Sequence, residues 1–72
     1  MQIEKGLYEH YKNKKLYRVH GIARHSETLE EFVIYEPQYE SDAQFWIRPL
    51  SMFLENVEYQ GIKQPRFKKV GN

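Results

Sequence analysis

The sequence predicts an all-β domain, a small five-stranded SH3-like barrel with a short 3₁₀ or helical turn before the last strands. Short runs rich in aromatic and β-branched residues alternate with polar turns along the 72 residues. There is no cysteine, and 15% of the residues are aromatic. Because no disulfide can hold so short a chain together, large side chains must supply its core. An OB-type barrel and a sheet with one packed helix are the alternative architectures.

The first two predicted strands form a hairpin. Residues 7–11 make a short aromatic strand, and 12–15 make a polar turn in which Asn13 suits a positive φ. A long strand follows at 16–25. Gly21 lies within that strand, and a glycine there is typical of a bulge where a long strand bends.

The other elements follow in order: a loop at 26–31, a central strand at 31–36, a loop at 37–43, a strand at 45–48, a turn of helix at 50–53, and strands at 56–59 and 62–67. Pro49 ends the strand before it. Pro65 confines the last strand to an edge. We expect one domain over 1–72, with a core at about 6–67 and a solvated basic tail at 68–72.

Strand phase divides the aromatic residues into two groups. The predicted core fillers are Tyr17, Phe32, Phe45 and Phe53. The side chains predicted to be visible from outside are Tyr8, Tyr11, Tyr35, Tyr39 and Trp46. On the strand at 45–48, this phase places Phe45 and Ile47 inward and Trp46 and Arg48 outward. The alternative is that Trp46 belongs to the core and Phe45 covers an edge.

Charge is segregated along the chain although the formal net charge is only +1. Residues 1–26 carry a net +4, 27–58 a net −7 and 59–72 a net +4. We expect acidic and basic strands to pair across a sheet. There is no apolar segment for a secretory signal or a membrane span, so the predicted location is the cytoplasm. The chain is expected to be a monomer or a weak homodimer.

The leading functional prediction is a non-catalytic module that binds a protein or small-molecule ligand. Trp46 and Arg48 share one face of their strand and offer a π surface beside a bidentate donor. The loop after the long strand adds polar and titratable groups. The predicted ligand-binding residues are Arg24, His25, Ser26, Glu27, Thr28, Trp46 and Arg48.

A hydrolase-type site at His25 and Glu27, completed by a dimer, is one alternative. Two residues apart, they can share a face, where the carboxylate would orient the imidazole. His25 falls on the apolar phase of its strand, which makes it either a hydrogen-bonded core histidine or part of a cleft wall. His10, His20 and His25 have no metal-ligand spacing, so we expect no metal and no cofactor.

A single-stranded nucleic-acid binder is the other alternative. Stacking and phosphate contact need aromatic and basic side chains together. These alternate near the N-terminus at Tyr8, Tyr11, Lys12, Lys14, Lys15, Tyr17 and Arg18, and the basic C-terminal residues would add to them.

Two motifs resemble a small bacterial protein family known as domain of unknown function 1653. One is A-R-H-S-E-T-x-E at 23–30, and the other is W-x-R-P-x-x-M-F at 46–53. The similarity extends over nearly all of residues 6–67. It implies a compact bacterial domain and carries no established activity to these residues.

Overall fold

The computed structural model describes residues 3–72 as seven strands and one short helix. The elements are β1 (Gly6–His10), β2 (Leu16–Arg24), β3 (Glu31–Pro37), β4 (Trp46–Pro49), α1 (Leu50–Phe53), β5 (Asn56–Tyr59), β6 (Ile62–Pro65) and β7 (Phe67–Gly71). Five strands form one antiparallel sheet in the order β4-β3-β2-β1-β7. Strands β5 and β6 form a separate hairpin.

The all-β class and the helical turn before the last strands are confirmed, but the sheet is not closed into a barrel. Its edge strands are β4 and β7, which do not pair with each other. Residues 62–67, expected as one strand, divide into β6 and the start of β7 at Arg66. Among residues 3–72, no helix is long or apolar enough to cross a bilayer.

The C-terminal residues are part of the sheet, and the predicted frayed tail at 68–72 is wrong. Strand β7 pairs with β1, and Lys69 Nζ lies 3.2 Å from a carboxylate oxygen of Glu4. The two strands approach closely where Gly6 has a φ of +143°. A Cβ on Gly6 would lie 2.5 Å from the Gly71 carbonyl oxygen, so only glycine fits there.

The predicted bulge in the long strand is confirmed at Gly21. Register shifts between Val19 and Gly21, so that Val19 lies opposite Tyr35 but Ile22 lies opposite Val33. Because one extra residue inverts the side-chain phase, Ile22 packs against the core beyond the bulge. In the preceding turn, Lys14 and not Asn13 takes the positive φ.

Most of the core consists of aromatic rings, as the composition predicts, but several of the predicted members are wrong. The buried apolar residues are Tyr8, Tyr17, Val19, Val33, Tyr35, Leu50, Phe53 and Phe67. Tyr8 and Tyr35, expected outside, are 7% and 2% exposed. Phe45, expected inside, is 47% exposed, and Phe32 is only half-buried.

Acidic and basic strands pair as the charge pattern predicts. Across β2 and β3, His20 Nε2 lies 2.9 Å from Glu36 Oε1, and Arg24 Nη2 lies 3.6 Å from Glu31 Oε2. These groups are largely solvated, so each pair contributes at most about 1 kcal/mol. They favour the register but do not hold the fold.

The corrected core assignment predicts opposite effects for two phenylalanines. Phe53 is 1% exposed and stacked on Phe67, so Phe53→Ala should lower the free energy of unfolding by about 3–5 kcal/mol. Phe45→Ala, the matched control at a 47% exposed ring, should change it by less than about 0.5 kcal/mol. Urea unfolding followed by circular dichroism measures both. Equal losses would contradict the assignment.

Candidate functional site

Arg48 is the centre of the candidate site. It lies on β4 opposite Val33, on the face of the sheet that carries the core. Its Nε donates a 3.4 Å hydrogen bond to the Tyr35 hydroxyl, and its guanidinium carbon lies 5.5 Å from the centre of the Phe67 ring. The half-buried side chain is therefore held by two aromatic residues from β3 and β7.

The two terminal nitrogens of Arg48 remain free to bind a ligand. Among residues 3–72, no carboxylate lies within 4.0 Å of this guanidinium. The described residues also contain no buried side-chain nitrogen or oxygen without a hydrogen-bond partner, so Nη1 and Nη2 reach solvent. Such a fork matches the geometry of a carboxylate or a phosphate.

Aromatic residues surround Arg48 in one continuous set of contacts. The Trp46 ring, 40% exposed, lies 6.4 Å from that of Tyr35. On the other side, the Tyr17 ring lies 5.7 Å from Phe67, and its hydroxyl is hydrogen-bonded to the Tyr39 hydroxyl at 2.8 Å. We name the whole set the Arg48 cluster: His10, Lys15, Tyr17, Tyr35, Tyr39, Trp46, Arg48 and Phe67.

Positive charge is concentrated at this cluster. Lys15 Nζ lies 4.4 Å from the centre of the Tyr39 ring, and the His10 ring lies 5.1 Å from that of Phe67. Burial lowers the pKa of His10 below 6.5, and the positive charges of Arg48, Arg66 and Lys12 lower it further. An anion bound near His10 and Arg48 would offset these positive charges.

The strand that carries Trp46 and Arg48 has the opposite phase from the predicted one. Both side chains share a face, as expected, but that face is directed toward the core and its rim. Ile47, expected inside, is 62% exposed. Register gives the reason, because Trp46 and Arg48 lie opposite the buried Tyr35 and Val33.

The predicted loop residues form a local turn, and no hydrogen bond or ion pair joins them to Trp46 or Arg48 in the described structure. His25 is exposed, so a core histidine is wrong. Its Nδ1 accepts hydrogen bonds from the backbone N–H groups of Glu27 and Thr28, each at 3.2 Å. The imidazole thus organises the turn instead of bonding to the Glu27 carboxylate. Ser26 is exposed, and Arg24 pairs with Glu31.

The residues of the nucleic-acid alternative divide between core and surface. Tyr8 and Tyr17 are buried, and Tyr11 packs edge-on against Tyr59. The lysines of the β1–β2 turn, Lys12, Lys14 and Lys15, are exposed. Arg18 is half-buried, and its Nη1 lies 3.5 Å from the Asn72 carbonyl oxygen.

His10, Tyr35, Tyr39 and Phe67 belong to the site, although the sequence analysis did not predict them as site residues. Arg48 was predicted, and its position among acidic residues also sets it apart in the sequence. It is the only basic residue among eight acidic ones between positions 27 and 58, yet none of those acids pairs with it. Among residues 3–72, no group of three His, Asp or Glu residues is placed to hold a metal ion.

Over residues 3–72, fold and site together define a small β domain in which an unpaired arginine is held among aromatic rings. The chain belongs to the protein family of unknown function DUF1653, whose model matches residues 6–69. Its fold is similar to that of a crystal structure of a DUF1653 protein from Bordetella bronchiseptica, with a TM-score of 0.88 and 36% sequence identity. That similarity covers 96% of this chain and 88% of the other. No curated protein matches the sequence.

The environment of His10 predicts a measurable titration. Its pKa should lie below 6.5, and Arg48→Met should raise it because one neighbouring positive charge is lost. Since the folded pKa is depressed, the unfolded chain binds more protons, and stability should fall as pH drops below 6.5. Proton NMR of the imidazole measures the pKa. An unchanged His10 pKa in Arg48→Met would contradict the effect of the Arg48 charge on His10.

Tyr39 predicts a change at alkaline pH. Its hydrogen bond to Tyr17, followed by burial, raises its pKa from 10.0 to about 12. Because the folded pKa is raised, stability should be fully present below pH 10.0 and decline as pH rises toward about 12. Tyr17→Phe should return the Tyr39 pKa toward 10.0. The absorbance titration of Tyr39 in that variant is obtained by subtracting the titration of the double variant Tyr17→Phe, Tyr39→Phe. If the pKa of Tyr39 is the same with and without the Tyr17 hydroxyl, the hydrogen bond is ruled out.

Proposed function

We propose that the protein is a non-catalytic binding module in which Arg48 holds an anionic group of its ligand beside the ring of Trp46. The observation that carries the proposal is the free fork of Arg48, whose nearest fixed partners are an aromatic ring and a tyrosine hydroxyl. Because the terminal nitrogens of this fixed guanidinium reach solvent and pair with no carboxylate of residues 3–72, they are available to an anionic group of a ligand.

The surroundings of Arg48 favour binding without chemistry. Phe67 and Tyr35 restrict its side chain before any ligand arrives, which reduces the entropy lost on binding. The surface is open and has no nucleophile paired with a base among the residues of the cluster. At the alternative hydrolase site, the backbone bonds to His25 occupy the nitrogen that an orienting carboxylate would use.

The curvature of the sheet supports a finer proposal for the architecture. Strands β4 and β7 are opposite edges, yet the guanidinium carbon of Arg48 lies 5.5 Å from the Phe67 ring centre. We therefore relate the fold to an SH3-like barrel that remains open between these edges, with the Arg48 cluster at the opening. The cytoplasmic location and the monomeric or weakly dimeric state stay predictions from the sequence.

Inorganic pyrophosphate is a probe for the anion site that needs no knowledge of the natural ligand. In a titration of isotope-labelled protein, it should shift the resonances of His10 and raise its pKa, because a nearby anion favours the imidazolium. Arg48→Met should weaken the binding by about tenfold, the loss expected for a charge-assisted hydrogen bond of about 1.5 kcal/mol.

Lys63→Met is the matched control, since it removes one positive charge from an exposed position on the β5–β6 hairpin. It should leave the affinity within about twofold, an effect expected for a solvated charge outside the Arg48 cluster. Equal losses in the two variants would mean that pyrophosphate responds only to net charge, and the proposed site would be wrong.

A further inference from the structure

We infer that the ligand is a single-stranded nucleic acid, with a phosphate on Arg48 and a base stacked on Trp46. This inference rests on the proposed function and adds the chemical class of the ligand. Such a ligand needs three features in one place: a fixed hydrogen-bond donor for a phosphate, an exposed aromatic side chain and further positive charges along its path.

The side chain that would bind the phosphate and the aromatic side chain are neighbours on one strand. Trp46 and Arg48 are two residues apart on β4, which places their side chains on the same face about 7 Å apart along the strand. Tyr35 supports both, through its ring beside Trp46 and its hydroxyl on Arg48. Trp46, a residue that is 40% exposed, thus lies beside the guanidinium of Arg48.

A line of positive charge continues from this pair across the sheet. Lys15 lies over the Tyr39 ring at the start of β2, two strands away from β4. Lys12 and Lys14 follow in the exposed turn between β1 and β2. The order is therefore Trp46 and Arg48, then Tyr39 with Lys15, then the turn lysines. A flexible chain with a negative charge at every unit fits this line better than a single small anion.

Acidic residues limit the surface on one side. A depression of about 380 Å³ next to Tyr39 is lined by the acidic residues Glu36, Glu40 and Asp42. These would repel phosphates, so the strand should pass Tyr39 on the side that faces Lys15 and continue to the turn, away from the three carboxylates. Arg66 adds little, because its Nη2 already lies 2.7 Å from Glu55 Oε1.

The use of Trp46 favours a single strand over a duplex. A base can stack on an indole only where its own face is free, whereas the bases of a duplex are stacked on each other. Phosphate contacts alone would also suit a phosphorylated peptide, but they would leave the exposed Trp46 ring unused.

Fluorescence anisotropy with a labelled single-stranded oligonucleotide of about ten nucleotides tests the inference. Mixed-sequence RNA and DNA should both bind more tightly than pyrophosphate, and binding should weaken steeply with salt. Trp46→Leu should weaken binding by about tenfold, the effect expected from the loss of one stacked base. Ile47→Ala, on the opposite face of the same strand, should leave binding unchanged.

Arg48→Met should lower the slope of log affinity against log salt by about 0.7, the value for one phosphate contact on a single strand. If pyrophosphate binds at Arg48 but the oligonucleotide binds no more tightly, or if Trp46→Leu has no effect on it, the nucleic-acid inference is overturned and the anion site stands. A phosphoserine peptide that binds more tightly than the oligonucleotide also overturns it. If neither pyrophosphate nor the oligonucleotide depends on Arg48, both proposals fail.

Discussion

Phe67 stacks against Phe53 with ring centres 4.1 Å apart and planes within 3° of parallel. The same ring contacts the rings of Tyr17, Tyr35 and His10 and lies beneath the guanidinium of Arg48. A 72-residue chain with no disulfide must hold its edges together through such contacts. This single residue of β7 contacts α1 and the four other strands of the sheet, and through Arg48 it contacts the candidate site.

Because β4 and β7 are not hydrogen-bonded to each other, side-chain contacts bridge these two edges of the sheet. On the core side that bridge is aromatic, and at the surface it is the cation of Arg48 over Phe67. The packing that stabilises the fold therefore also fixes the geometry of the site. A substitution at Phe67 should affect both, whereas one at Arg48 should affect mainly binding.

The boundaries of the elements from β1 to β5 could be predicted from the sequence to within a residue because they depend on local chemistry. Gly21 marked the bulge, and Pro49 and Pro65 lie at the ends of β4 and β6. Alternation also showed that Trp46 and Arg48 share a face. It does not show which face is inward, and so the prediction for Phe45 and Ile47 was wrong.

The residues of the site could be predicted only in part, because some of them come from strands that are far from β4 in the sequence. His10 and Phe67 meet through the pairing of β1 with β7, which residue patterns along one strand do not specify. Residues 24–28 were predicted to belong to the site because polar groups are concentrated there. Those groups satisfy their own turn and a strand pair, as the bonds to His25 and Arg24 show.

The most direct test of this dependence is the pyrophosphate affinity of a Phe67→Leu variant, measured by NMR under conditions where circular dichroism shows the sheet to be intact. Leucine keeps an apolar side chain in the core but removes the ring beneath Arg48 and beside His10. The structure predicts a folded, less stable protein that binds pyrophosphate several-fold more weakly, with His10 no longer responding to it. A folded variant with unchanged affinity and an unchanged His10 response would contradict the claim that Phe67 holds the site.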